Sequence, residues 1–204
     1  MTIMNLWPTP IYMQMIGEDK AVRDFAIKQE YFNTSNNSGW VTKNTHILDE
    51  LPDFKKRLME EVEYYVYYKL NVSKKMRFYF TNSWIIKFPS GVFGQKHNHE
   101  NALLSGVYYI QTPPDAGTLC LHKDPNNVNT FYPNILPEFT KEDEYSMKSV
   151  LIKPVAGMMI IMPSHVYHSV APNLDTEDRY ALPFNLHIKG ELGNQRTLNY
   201  VELK

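Results

Sequence analysis

Beyond Asn71 the apolar stretches of this chain are short, and a proline or glycine soon interrupts each of them. Segments 76–88 (MRFYFTNSWIIKF), 103–111 (LLSGVYYIQ), 118–122 (TLCLH), 149–153 (SVLIK), 157–162 (GMMIIM), 165–171 and 179–188 (RYALPFNLHI) read as β-strands. Pro89, Gly91, Pro113, Pro114, Gly117, Pro154, Gly157, Pro163 and Pro172 punctuate them. Seven or more short strands with turn signals at that density point to a sandwich or barrel rather than βαβ units. Two helical patterns precede them. Residues 18–31 have helical composition, and Leu51, Phe54, Leu58, Val62, Tyr65 and Val66 recur at steps of three and four across 51–70. The polar run 33–39 separates the two, and the proline-rich opening Leu6–Tyr12 reads as extended. An apolar stripe of that kind is core, so the helices are expected to cover one face of the sheet.

At 204 residues the chain suits one domain, 1–204. It divides into an extended segment with helices (1–71) and a β core (72–204). Within the core, 124–147 is rich in Asn, Pro and acidic residues, the texture of a lid or binding loop. A formal net charge of −1 offers no field to steer nucleic acid. No apolar run approaches a membrane span. The single Cys120 excludes an intrachain disulfide and suits a reducing compartment, so a cytoplasmic protein is expected. A homodimer is compatible with this composition.

Four of the seven histidines fall in two clusters, His97/His99 and His165/His168. On a strand, residues two apart share a face, so His97 and His99 would project together and leave Asn98 and Glu100 opposite. Neutral imidazoles spaced this way can offer two nitrogens to a divalent metal. A third must come from elsewhere. His165 sits in the Pro163-Ser164 turn, whereas His168 opens a new β-like run. Arg179 follows, with a planar fork suited to a carboxylate.

These residues resemble the double-stranded β-helix (jelly-roll or cupin-like) of the Fe(II)- and 2-oxoglutarate-dependent oxygenases, in particular a bacterial and phage branch. The similarity lies in Leu6-Trp7-Pro8-Thr9-Pro10-Ile11, in His97-Asn98-His99 running into Ser105-Gly106-Val107-Tyr108-Tyr109, and in His168-Ser169-Val170, Pro172-Asn173, Arg179 and Phe184-Asn185. The resemblance implies a mainly β fold with N-terminal helices packed on the sheet. It also implies Fe(II), 2-oxoglutarate as co-substrate, and O2. His97, His99 and His168 would be the metal ligands and catalytic centre, and Arg179 would bind the far carboxylate. Asn82, Trp84 and Tyr108, on adjoining predicted strands, are assigned to the co-substrate pocket by location. His99 stands where most of that superfamily carries an acid, which implies a three-histidine site.

The expected reaction is hydroxylation of a small molecule or protein side chain with release of succinate and CO2. Two other classes fit parts of the pattern. One is a three-histidine cupin-like metalloenzyme without 2-oxoglutarate, in which Arg179 has no duty. The other is a non-catalytic jelly-roll binding module, whose closed metal site would need His165 as a fourth ligand.

Overall fold

The computed structural model describes residues 8–34, 38–123, 138–141, 143, 146–196 and 198–204. Leu6 and Trp7 of the opening segment, and most of the expected 124–147 loop, lie outside these residues. Strand β1 (Tyr12–Met15) leads to helix α1 (Lys20–Ile27), where the Asp19 carboxylate accepts from the Val22 N–H at 3.1 Å and satisfies a free first-turn amide. This helix is shorter than 18–31, because Tyr31 already begins β2 (Tyr31–Asn33), which pairs with β3 (Trp40–Thr42). A 3-10 turn, Ile47–Glu50, feeds α2 (Pro52–Glu63), whose opening proline is pre-set for a first helical turn. Tyr64–Lys69 continues it as a π-helix.

The expected 76–88 strand is two, β4 (Met76–Ser83) and β5 (Ile86–Phe88), interrupted at Trp84-Ile85. The remaining strands are β6 (Gly94–His97), β7 (Leu104–Gln111), β8 (Leu119–His122), β9 (Ser149–Ile152), β10 (Met158–Pro163), β11 (His168–Val170), β12 (Arg179–Leu192) and β13 (Val201–Leu203). Among the described residues they form two antiparallel sheets. The larger runs β1-β10-β7-β12-β5-β3-β2, with β4 and β13 also beside β12, and the smaller runs β6-β11-β8-β9. This is a double-stranded β-helix of mainly β content.

The helices cover the outer face of the larger sheet, where Leu58, Val62, Tyr108, Leu182 and Phe184 are fully buried together. The two sheets enclose a second apolar cluster that includes Tyr109, Leu121, Ile160, Met162 and Ala181. Strands β7 and β12 are therefore covered on both faces and are buried along most of their length. Gly106 on β7 leaves room for a side chain of the neighbouring strand, since a Cβ there would overlap the Phe184 ring.

Candidate metal centre

The smaller sheet brings two histidines side by side. His97 ends β6 and lies in register with His168, the first residue of β11, with ring centroids 4.4 Å apart. His99 joins them differently from the strand alternation expected. β6 stops at His97, and His99 is held by its backbone N–H, which donates to the Ser164 carbonyl at 3.0 Å in the turn after β10. Its ring lies 5.1 Å from that of His168 and nearly parallel to it. One ring nitrogen from each of the three lies within 4.8 Å of the others. Among the described residues, no fourth histidine, cysteine or carboxylate joins them. His165 is exposed and lines a separate cleft with Lys123 and Lys148, while Glu100 is exposed and apart.

Tautomers follow from the backbone. His97 Nδ1 lies 2.8 Å from the Gln95 carbonyl and His168 Nδ1 lies 3.1 Å from that of Val166. A carbonyl only accepts, so each Nδ1 carries a hydrogen and Nε2 is the nitrogen left to bind a metal. Burial, with the neighbouring His168 and His97, pushes the His99 imidazole down to about 3. Burial and His97 push His168 down to about 4. Both are neutral bases near pH 7.

Buried polar contacts hold the turn that carries His99. Ser105 Oγ donates to Asn185 Oδ1 at 2.7 Å and lies 3.0 Å from Ser164 Oγ. All three residues are buried. With its hydrogen committed to Asn185, Ser105 accepts from Ser164.

A cavity of about 100 Å³ opens beside the three rings, between the sheets. Arg179, the first residue of β12, lines it and is 2% exposed. Its Nη1 donates to the carbonyls of Ala116 and Gly117 at 3.1 and 3.2 Å, and its guanidinium rests over the Tyr109 and Phe88 rings. Its Nε has no hydrogen-bond partner, and no carboxylate of the described residues pairs with it. The buried Tyr109 hydroxyl faces the same guanidinium and has no well-formed hydrogen bond among the described residues; burial pushes this phenol up to about 12, and the guanidinium beside it opposes the shift. A buried cation and hydroxyl left unpaired are costly. A site built to receive an anion explains both.

Trp84 lines the cavity, 6.0 Å from the His99 ring. Two other pocket residues expected from the sequence do not. Tyr108 points to the opposite face of β7, packs on Phe54 and donates to the Gly17 carbonyl at 3.0 Å; its neighbour Tyr109 takes the cavity face. Asn82 lies in register with Asn185, two residues past the cavity-lining Pro183, and accepts from Thr81 Oγ1. Tyr109, and the Gln95 and Val166 carbonyls that orient the imidazoles, were not expected. The carbonyls share one signal, the position two residues before a histidine.

Residues 82–185, about half of the chain, match the family described as "Putative 2OG-Fe(II) oxygenase". No curated protein matches the sequence. Among solved structures, a Pseudomonas putida prolyl-4-hydroxylase is similar over 87% of this chain and 92% of its own, at 16% identity and a TM-score of 0.52. HygX from Streptomyces hygroscopicus, solved with nickel and 2-oxoglutarate bound, is similar over 96% of this chain and 93% of its own, at 10% identity and a TM-score of 0.54. The epimerase SnoN, solved with Fe3+, alpha ketoglutarate and nogalamycin RO, covers 87% of this chain and 78% of its own, at 14% identity and a TM-score of 0.59. At these identities the likeness is one of fold, and it is the sequence match across the strands carrying the histidines and Arg179 that places the protein: the chain belongs to the 2OG-Fe(II) oxygenase family.

Proposed function

We propose that this enzyme is an Fe(II)- and 2-oxoglutarate-dependent hydroxylase in which His97, His99 and His168 hold the metal and Arg179 receives the far carboxylate of 2-oxoglutarate. One observation carries the reading: three clustered imidazoles and a buried guanidinium that pairs with no carboxylate of the described residues share one cavity. When bound, iron, 2-oxoglutarate and O2 supply oxidative decarboxylation to succinate and CO2, coupled to hydroxylation of a substrate C–H bond. The chain's residues prepare for this in three ways. The Gln95 and Val166 carbonyls take the Nδ1 hydrogens of His97 and His168 and so leave Nε2 of each ring as the nitrogen available to a metal. Three neutral ligands leave a divalent ion at +2, and with the Arg179 cation the cavity carries +3, of which a dicarboxylate dianion cancels two. The Arg179 charge then meets the far carboxylate in a wall of Tyr109, Phe88 and Ile86 that excludes water.

A cupin-like metalloenzyme without 2-oxoglutarate leaves the buried Arg179 without a purpose. A closed structural metal site lacks its fourth ligand among the described residues. The substrate in this proposal is a small molecule or protein side chain, entering past the exposed His97 and the Trp84 ring. The proposal takes residues 1–204 as one domain. It places the enzyme in the cytoplasm, the reducing setting that suits the free, half-buried Cys120. No described helix is long and apolar enough to cross a membrane. The test is anaerobic titration of the Fe(II) protein with 2-oxoglutarate, following the visible charge-transfer band of the chelate. Full metal loading with no band sinks the assignment.

A further inference from the structure

Among the described residues, three buried side-chain polar atoms lack any hydrogen-bond partner: Arg179 Nε, the Tyr109 hydroxyl and Ser38 Oγ. All three residues line the same cavity of about 100 Å³. Arg179 and Tyr109 belong to the β-helix. Ser38 does not. It precedes β3 and lies outside residues 82–185, the span that matches the family.

Its position is built. The Ser38 N–H donates to Thr34 Oγ1 at 2.9 Å, and Thr34 Oγ1 in turn donates to the Gly39 carbonyl at 3.2 Å. β3 then pairs with β5 through Trp40 opposite Lys87 and Val41 opposite Ile86. Gly39 has φ +106°, and a Cβ there would sit 2.9 Å from Ile86 Cδ1 and 3.3 Å from Phe88 Cε1. Only glycine lets the backbone lie that close to two side chains of the cavity wall. The Phe88 ring that Gly39 approaches is the one on which the Arg179 guanidinium rests. The hairpin thus delivers a hydroxyl to the arginine end of the cavity with no hydrogen-bond partner among the described residues.

We propose that Ser38 is a third donor to the far carboxylate of the co-substrate, beside Arg179 and Tyr109, and so helps select a five-carbon dicarboxylate over shorter 2-oxo acids. The inference rests on the co-substrate reading above. Leaving a buried hydroxyl unpaired costs stability in the free protein. That cost makes sense if the partner arrives with the ligand, where one hydrogen bond to a charged acceptor is worth about a factor of ten in affinity.

The test compares Ser38→Ala, Ser38→Thr and Arg179→Ala with the wild type. Binding of 2-oxoglutarate and of pyruvate, which has no far carboxylate, is measured by anaerobic titration of the Fe(II)-loaded proteins, and thermal midpoints are measured without ligand. Ser38→Ala is expected to melt at or above the wild-type midpoint, to bind 2-oxoglutarate about tenfold more weakly and to bind pyruvate unchanged, with Ser38→Thr restoring much of the loss. Equal loss of 2-oxoglutarate and pyruvate, or a lowered midpoint, would make Ser38 a prop of the hairpin and overturn the inference. Wild-type 2-oxoglutarate affinity in Ser38→Ala, together with weakened binding in Arg179→Ala, overturns it while leaving the co-substrate reading intact. Unchanged affinity in both variants removes the reading itself.

Discussion

Arg179 carries the sharpest residue-scale prediction because its surroundings separate two of its properties. Its side chain lines the cavity with Nε unpartnered among the described residues, while Nη1 is committed to the Ala116 and Gly117 carbonyls. Arg179→Ala should weaken 2-oxoglutarate binding by about 1.5–3 kcal/mol, the worth of a charge-assisted pair, with metal affinity unchanged. Arg179→Lys should recover little of that loss, since a lysine is a point charge that cannot bond two carbonyls and still present a fork. Isothermal titration of the metal-loaded variants reads both effects. The two clustered histidines divide as cleanly. His168→Ala should abolish stoichiometric metal binding, measured by metal analysis after dialysis, because its ring touches those of both His97 and His99. His165→Ala should retain it, because that side chain faces the separate cleft. Retention by the first and loss by the second would reverse the ligand assignment.

At the scale of elements, strands covered on both faces decide what could be read from sequence. β7 is buried at Leu104, Ser105, Gly106, Tyr108, Tyr109 and Ile110, so hydrophobicity gives no phase to its alternation. Tyr108 and Tyr109 were therefore interchangeable by pattern, although one serves the helix layer and the other the cavity. Gly106 holds the missing information. It must lack a side chain because Phe184 of β12 fills the space its Cβ would take, on the face that also carries Tyr108. Gly106→Ala should destabilise the fold by about 1–3 kcal/mol through overpacking, read as a lower urea midpoint with unchanged slope. A wild-type midpoint would mean the strands can separate at that point. The strand segments of the core and the helical stripe of α2 were legible because each depends on residue type and spacing, whereas His97, His168 and Arg179 were grouped by their resemblance to a family. The route by which His99 reaches its neighbours was not. It depends on a backbone bond to Ser164, a residue far along the chain whose carbonyl leaves no trace in composition.

Across the whole molecule the proposed site is divided between the sheets. The smaller sheet holds His97 and His168, and the turn between β10 and β11 holds His99. The larger sheet holds Arg179 and Tyr109. A metal therefore engages one side of the sandwich, whereas a dicarboxylate chelated to it and paired with Arg179 spans both. Binding to the native state stabilises by mass action, about 2.7 kcal/mol at a hundredfold excess over the dissociation constant. For a protein of this size that shift is about 5–10 °C in midpoint. Two successive increments should appear in anaerobic thermal melts, one on adding Fe(II) and one on adding 2-oxoglutarate. Arg179→Ala should keep the first and lose most of the second, and His168→Ala should lose both. Hydrogen exchange should sort them in space. Metal alone should slow exchange around β6 and β11, while 2-oxoglutarate should extend protection to β5 and the start of β12. If 2-oxoglutarate gives Arg179→Ala the full wild-type increment, the ligand does not join the two sheets, and the guanidinium buried between them has some other anion to meet.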